Sequence, residues 1–307
     1  MFAKKIKRLC NKFFERVVTE KNIRRLKSWS LYRELVLRQD NEIRKLQSEY
    51  ASLVNGLDKK SALRIHERKY YSQNGEDGIL LYIFSQIGAP NKNFIEFGIE
   101  DGSECNAANL AINFGWGGLF IEGSPALAEK ARRFYYNRHG ISPDKVVVAN
   151  EFLTLENVND VFKRYSMSGE IDLLSIDIDG NDYWIWQGIE IVRPRVVVIE
   201  YNASFGADRP ITVEYDPVFD CYKKHPSGWY HGASLTALTK LAKKKNYILV
   251  GCESSGTNAF FVRADLSKDK FEPMSPAEAF YPSKPRLRAA PLEKQFELIK
   301  HLEYVEV

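Results

Sequence analysis

"KNFIEFGIEDGSE", residues 92–104, runs from a short apolar stretch at Phe94–Phe97 straight into Gly98 and Gly102. An apolar run of this length that stops at a glycine turn reads as a strand buried on both faces. The same texture recurs along the chain. "GGLFIEGSP" (117–125), "DKVVVANEF" (144–152), "IDLLSIDIDG" (171–180) and "RPRVVVIEYN" (193–202) are four further short apolar runs, each ending in polar residues. "YILVGCE" (247–253) and "NAFFVRA" (258–264) close the series. Between them lie helix-like segments: residues 105–113, "PALAEKARRFYYNRH" (125–139), "TLENVNDVFKRYS" (154–166), "DYWIWQGI" (182–189) and "GASLTALTKLAKKKN" (232–246). Strands alternating with helices predict an α/β domain, a doubly wound parallel sheet covered on both faces. Its ligand crevice is then expected beyond the carboxyl ends of the strands.

Those ends are where the polar residues collect. The first strand ends in Glu96 and Gly98, the second in Glu122, the third in Asn150 and Glu151. The fourth ends in Asp177 and Asp179, the fifth in Glu200 and Asn202. Glu122 is placed to accept both hydroxyls of a ribose. The first loop, "GIEDG" (98–102), lacks the G-x-G-x-x-G spacing of a dinucleotide fold and carries two acids where a pyrophosphate would lie. Glu100 and Asp101 suit a cationic or zwitterionic ligand such as S-adenosylmethionine, with its sulfonium and amino groups.

The same segments, "FIEFGIEDGSE", "GLFIEGS", "DLLSIDIDGNDYWIW" and "VVVIEYN", resemble the motifs of class I S-adenosylmethionine-dependent methyltransferases. "YSQNGEDGIL" (71–80) is similar to the opening of the FkbM-like branch, many of whose members O-methylate sugars or polyketides. The resemblance covers roughly residues 70 to 265. It implies a seven-stranded Rossmann-like sheet, with Glu96 and Gly98 at the methionine end of the donor, Glu122 at the ribose and Asp177 beside the donor. Gln73 and Asn106 are implied as further contacts. Glu100 and Asp101 depart from the small residues usual in that first loop.

Asp177, Asp179 and Asp182 fall within six residues, and an extended strand would put the first two on one face. Carboxylates that close raise each other's pKa unless a cation or a donor lies between them. With Glu200 and Asn202 on the neighbouring strand, the set suits Mg²⁺ or Mn²⁺. Asp179 and Glu200 are the expected ligands, completed by Asp182 or Asn202. The competing reading makes Asp182 a helix cap and Asp179 a cap of turn amides. A hydroxyl acceptor also needs a base. Of the five histidines, His231 and then His225, which frame "HPSGWYH" (225–231), are the candidates, on a loop expected to hang over the crevice. Asp179 is the carboxylate expected to share the catalytic work.

Three segments are expected: a basic amphipathic helical extension (1–69), the donor-binding domain (70–265) and a proline-containing tail with a helix at 292–305 (266–307). Residues 1–50 hold fourteen Lys or Arg against six Asp or Glu, while the whole chain carries a net charge of +4. Phe2, Ile6, Leu9, Phe13 and Val17 share a helical face. Such a segment packs on the main domain, lies on an anionic inner membrane surface, or pairs with a second copy as a homodimer. Its large apolar stripe argues against nucleic acid. Cys10, Cys105, Cys221 and Cys252 show neither CxxC nor metal-like spacing, and charges interrupt the N-terminus, which together predict a cytoplasmic protein.

The expected function is methyl transfer to a hydroxyl of a sugar, nucleotide sugar, glycan or related polar metabolite. The competing readings are a nicotinamide-dependent oxidoreductase, an N-methyltransferase, and a non-catalytic scaffold that keeps the fold.

Overall fold

A computed structural model describes residues 59–307 of the 307-residue chain. The expected amphipathic helices before residue 59 lie outside the described residues. Nine strands are described: β1 (Asn93–Phe97), β2 (Gly117–Glu122), β3 (Val146–Asn150), β4 (Gly169–Ile176), β5 (Val192–Glu200), β6 (Ile211–Val213), β7 (Tyr247–Cys252), β8 (Asn258–Arg263) and β9 (Tyr304–Glu306). The helices that position the site are α1 (Glu76–Ile87), α2 (Ala108–Phe114), α3 (Pro125–Arg132), α4 (Val158–Arg164), α5 (Asp182–Gly188), α6 (Leu235–Lys244), α7 (Lys284–Leu287) and α8 (Leu292–Ile299).

Seven strands form one sheet in the order β3-β2-β1-β4-β5-β8-β7. β3, β2, β1, β4 and β5 pair in parallel, whereas β8 runs antiparallel to both β5 and β7. The sheet is therefore mixed, where the apolar runs alone had suggested an all-parallel one. The five-residue link from Cys252 to Asn258 explains the reversal, because a parallel return needs a crossover of a dozen or more residues.

Period-two alternation divides each strand between two cores. Ile95 and Phe97 of β1, Leu174 and Ile176 of β4, and Val197 and Ile199 of β5 pack with α4, α5 and α6 residues on one face. Phe94, Leu173, Val196 and Val198 join α1 and α2 residues on the other. Both faces are covered, so the strand bodies read as uninterrupted apolar runs. At the edge of the sheet away from the cavity the polar groups are tied off by ion pairs. Arg195 reaches Glu170 at 3.1 Å, and Arg263 reaches Glu170 and Asp265 at 2.7 Å each.

Two short strands complete the fold. β6 and β9 pair antiparallel, Ile211–Val213 against Tyr304–Glu306. The helix expected over residues 292–305 stops at Ile299, and the chain continues as β9. Among the described residues no helix is long and apolar enough to cross a membrane. Cys105, Cys221 and Cys252 are buried and take part in no disulfide among the described residues.

Candidate active site

Strand order reverses direction between β1 and β4, and a cavity of about 880 Å³ opens beyond their carboxyl ends. Its lining takes residues from the ends of β1, β2, β3, β4 and β5 and from the start of β8. Nine of these residues carry carboxylates, from Glu96 to Glu200, and none is Lys, Arg or His.

Two close backbone approaches shape the floor. Gly98 has φ 77°, and a Cβ there would lie 1.4 Å from the Asp177 carbonyl oxygen. Only glycine fits where the ends of β1 and β4 meet. β4 itself stops at Ile176, and Asp179 turns with φ 54°. Asp177 and Asp179 are therefore not neighbours on one extended strand. The turn, and not the pleat, brings them to the cavity.

Asp182 holds that turn. Its Oδ1 accepts the Ile178 amide at 2.9 Å and its Oδ2 the Gly180 amide at 3.0 Å. The side chain is fully buried and is absent from the cavity lining, so Asp182 is a latch and not the ligand expected of it. Burial pushes its carboxyl up to about 6, against the pull of those two amides. Phe219 closes over Gly180, where an added Cβ would come within 2.3 Å of its ring.

Glu96 plays a similar part on β1. Its oxygens accept the Asn106 and Ala107 amides at 2.8 and 2.7 Å and the Ser175 hydroxyl at 3.2 Å. It thereby anchors the entry to α2, and burial raises it to about 7. Asn106 in turn donates to Ser175 Oγ at 3.0 Å. Glu122 accepts the Glu100 amide on one oxygen and the Ser124 amide on the other, both at 2.8 Å. Each of its oxygens keeps a second lone pair for a ligand hydroxyl. Gln73 reaches the rim through the "YSQNGEDG" segment. Asp77 Oδ2 accepts the Tyr70, Tyr71 and Ser72 amides at 2.8 Å each, while Glu76 accepts from Asn258 of β8 at 2.8 Å.

Asp177, Asp179 and Glu200 crowd together where β4 and β5 end. Burial holds Asp177 well above the ordinary carboxylate range, and the charges of Glu200, Asp179 and Asp182 add to it. Glu200 is held well up by burial and then by Asp179. Burial also raises Asp179, against the pull of Arg286. Burial and crowding thus disfavour charge on these carboxyls, and a cation nearby would favour it.

His231 does not hang over the crevice. It is 2% exposed and sits behind Glu200, with Nδ1 at 3.4 Å from Glu200 Oε2. Its Nε2 lies 2.6 Å from Arg286 Nη2, a guanidinium delivered by α7 of the tail, where the sequence had offered no chemistry. Arg286 also donates to Asn202 Oδ1 at 2.6 Å and Ser204 Oγ at 3.1 Å. Asn202 donates back to the Trp229 and His231 carbonyls at 2.7 Å each, which occupies the side chain offered as a ligand. Burial and then Arg286 hold His231 well below its ordinary pKa. His225 stands outside the cavity lining, its Nδ1 2.7 Å from Ser227 Oγ.

Asp179, Glu200 and His231 do present ligand atoms within 4.8 Å of one another. His231 cannot serve as the third ligand of a divalent ion. A guanidinium only donates, so Nε2 accepts and the neutral ring carries its proton on Nδ1. A protonated nitrogen has no lone pair for a metal. Two carboxylates remain, with the fixed charge of Arg286 behind them.

No family model matches the chain, and no curated protein matches it. Solved structures do. It is similar to an O-methyltransferase family protein from Burkholderia thailandensis at 12% identity, covering 68% of this chain and 59% of that one, with a TM-score of 0.37. The chain thus spans about three-fifths of that protein's length. An O-methyltransferase from Bacillus cereus, solved with S-adenosylhomocysteine, is 16% identical over 71% of this chain and 95% of its own, TM-score 0.39. A Haemonchus contortus N-methyltransferase is 17% identical over 58% and 38% respectively, TM-score 0.34. At these scores the likenesses say nothing of substrate. The sheet itself is a seven-stranded mixed α/β sheet with its cavity at the reversal of strand order.

Proposed function

We propose that the chain is an S-adenosylmethionine-dependent O-methyltransferase acting on a hydroxyl of a neutral sugar, glycan or related polyol. The observation that carries this reading is the lining of the cavity, nine carboxylates with no basic side chain. A sulfonium and an amino group offset such a field, whereas the pyrophosphate of a nicotinamide dinucleotide or of a nucleotide sugar would be repelled by it. The basic residues that could have met a phosphate are engaged elsewhere. Arg209 lies 4.2 Å over the Phe296 ring and donates to the Phe205 carbonyl, while Lys224 pairs with Asp216 at 2.8 Å.

In this reading the donor's ribose hydroxyls meet Glu122, fixed by its two amides, and the methionine end lies over Gly98 beside Asp177. Methyl transfer is an in-line displacement at the sulfonium carbon, so alignment is the main contribution, worth roughly 7–11 kcal/mol of barrier. The acceptor's proton passes to the raised carboxyl cluster of Asp179 and Glu200, a general-base contribution of roughly 10²–10⁴ in rate. Phe219 and the segment around it, where Val218 and Tyr222 are exposed, face the acceptor.

Calorimetric titration with S-adenosylmethionine, S-adenosylhomocysteine and NAD⁺ tests the donor. Micromolar binding of the first two alone supports the reading. Binding of NAD⁺ alone, or of nothing, removes it. Mass spectrometry of a neutral glycan panel incubated with the donor then tests the acceptor.

A further inference from the structure

We propose that Arg286 and His231 form a relay that makes Glu200 the base, with the tail-borne arginine fixing the histidine tautomer. This inference rests on the methyltransferase reading for its chemistry, but its geometry stands by itself.

The contacts run in one line. Arg286 Nη2 donates to His231 Nε2 at 2.6 Å, and His231 Nδ1 faces Glu200 Oε2 at 3.4 Å. The ring is buried and Nδ1 makes no hydrogen bond to any other group, so Glu200 Oε2 at 3.4 Å is the acceptor it faces without a completed bond. With Nε2 committed to the guanidinium, the ring has no free lone pair and cannot take a proton from an acceptor. It can only give a hydrogen bond, and Glu200 is the group it faces. One oxygen of Glu200 is thereby turned toward the imidazole. The other is left for the cavity, which Glu200 lines and His231 does not.

Arg286 is held for this task from three sides, by Asn202, Ser204 and the imidazole. Asn202 fixes the His231 backbone through its carbonyl, so ring and guanidinium share one scaffold. In the transfer step the acceptor O–H bond breaks, its proton goes to Glu200, and its electron pair forms the new bond to the methyl carbon. The electron pair of the methyl–sulfur bond returns to sulfur, leaving a neutral thioether. His231 and Arg286 are positioning residues; neither exchanges a proton.

Nitrogen-15 NMR of the full chain labelled at histidine decides the tautomer, with the His231→Phe spectrum assigning the signal. The expected result is a protonated Nδ1 and an unprotonated Nε2. A protonated Nε2 in the wild-type protein overturns the proposal, whatever the donor does. Kinetics give the second arm. Glu200→Gln should lower kcat by roughly 10²–10⁴ with donor affinity retained. Arg286→Met and His231→Phe should each lower kcat by roughly 10–100-fold, the scale of an outer hydrogen-bond partner. Because the two act as one unit, the double variant should be no slower than the slower single, and Arg286→Lys, which keeps a cationic donor, should recover part of the rate. Losses that multiply in the double variant refute the relay. Absence of donor binding in the wild type would instead remove the methyltransferase reading and leave the tautomer result standing.

Discussion

Replacing Gly98 with alanine tests whether the meeting of β1 and β4 builds the donor site. The added Cβ would lie 1.4 Å from the Asp177 carbonyl oxygen, against the 3.0 Å below which real contacts essentially never fall. The two backbones must therefore separate by about 1.6 Å, the difference between those distances. The oxygen belongs to main chain at the end of a fully paired strand, so it has no rotamer through which to escape. Two costs add. A Cβ at φ 77° costs about 1–2 kcal/mol, and overpacking typically costs about 1–3 kcal/mol or more. Gly140 separates them, because it has φ 68° and nothing within 4 Å of an added Cβ. Gly140→Ala should lose only the first, and Gly98→Ala about 2–5 kcal/mol in all, read from urea unfolding at constant m. Asp177 moves with its own carbonyl, so donor affinity should fall alongside stability in Gly98→Ala and stay unchanged in Gly140→Ala. Equal losses in the two variants, or wild-type donor affinity in Gly98→Ala, would refute the reasoning.

Asp177→Asn should weaken S-adenosylmethionine binding by about 1.5–3 kcal/mol in calorimetry, the usual worth of a hydrogen bond to a charged group, without changing the fold. Asp182→Ala leaves the Ile178 and Gly180 amides without partners at about 1–3 kcal/mol each, so its unfolding midpoint should drop and turnover should fall as Asp179 loses its turn. Glu96 and Glu253 are raised from 4.5 to about 7, so the folded state binds more protons than the unfolded one across that interval. Stability should fall as pH rises from 6.5 to 8, by an amount on the order of 1 kcal/mol per carboxyl, partly offset at the lower end by His66, His139 and His231, whose protons the unfolded chain is still losing there. A flat or rising urea-unfolding profile there would contradict it. Chelation of divalent ions should leave turnover unchanged.

Strands were legible because both faces of the sheet are covered: Phe94–Phe97 and Val196–Ile199 are apolar at every position but Glu96. The clustering of Glu96, Glu122, Asp177 and Glu200 followed from strand ends alone. What did not follow depended on direction and on distant partners. Nothing in "NAFFVRA" says which way β8 runs; the five-residue link before it was the available signal. Asp177 and Asp179 looked like strand neighbours because alternation was carried past Ile176, although Gly180 and Asn181 already marked a turn. The loop position of His231 reads as that of a base. Its partner Arg286 lies 55 residues on, in a tail rich in proline, and no local pattern could join them. Asp182, read both as cap and as ligand, binds amides before its own helix, a role that spacing does not separate from metal ligation.

Because β8 is reversed, it offers its beginning, not its end, to the cavity. Thr257 and Asn258 stand there, on a tight turn whose Ser255, Thr257 and Asn258 amides all converge on Glu253. Gly256 of that turn lies so close to Pro282 that a Cβ would come within 2.5 Å of its carbonyl oxygen. This flank is a wall, clamped from within and from the tail. If the proposed acceptor is a long chain, the path left to it runs past Phe219 of the lining and the exposed Val218 and Tyr222. On the proposed reading, a branched or polymeric acceptor would be taken from one side only, and branches directed toward Thr257 would mark the compounds refused.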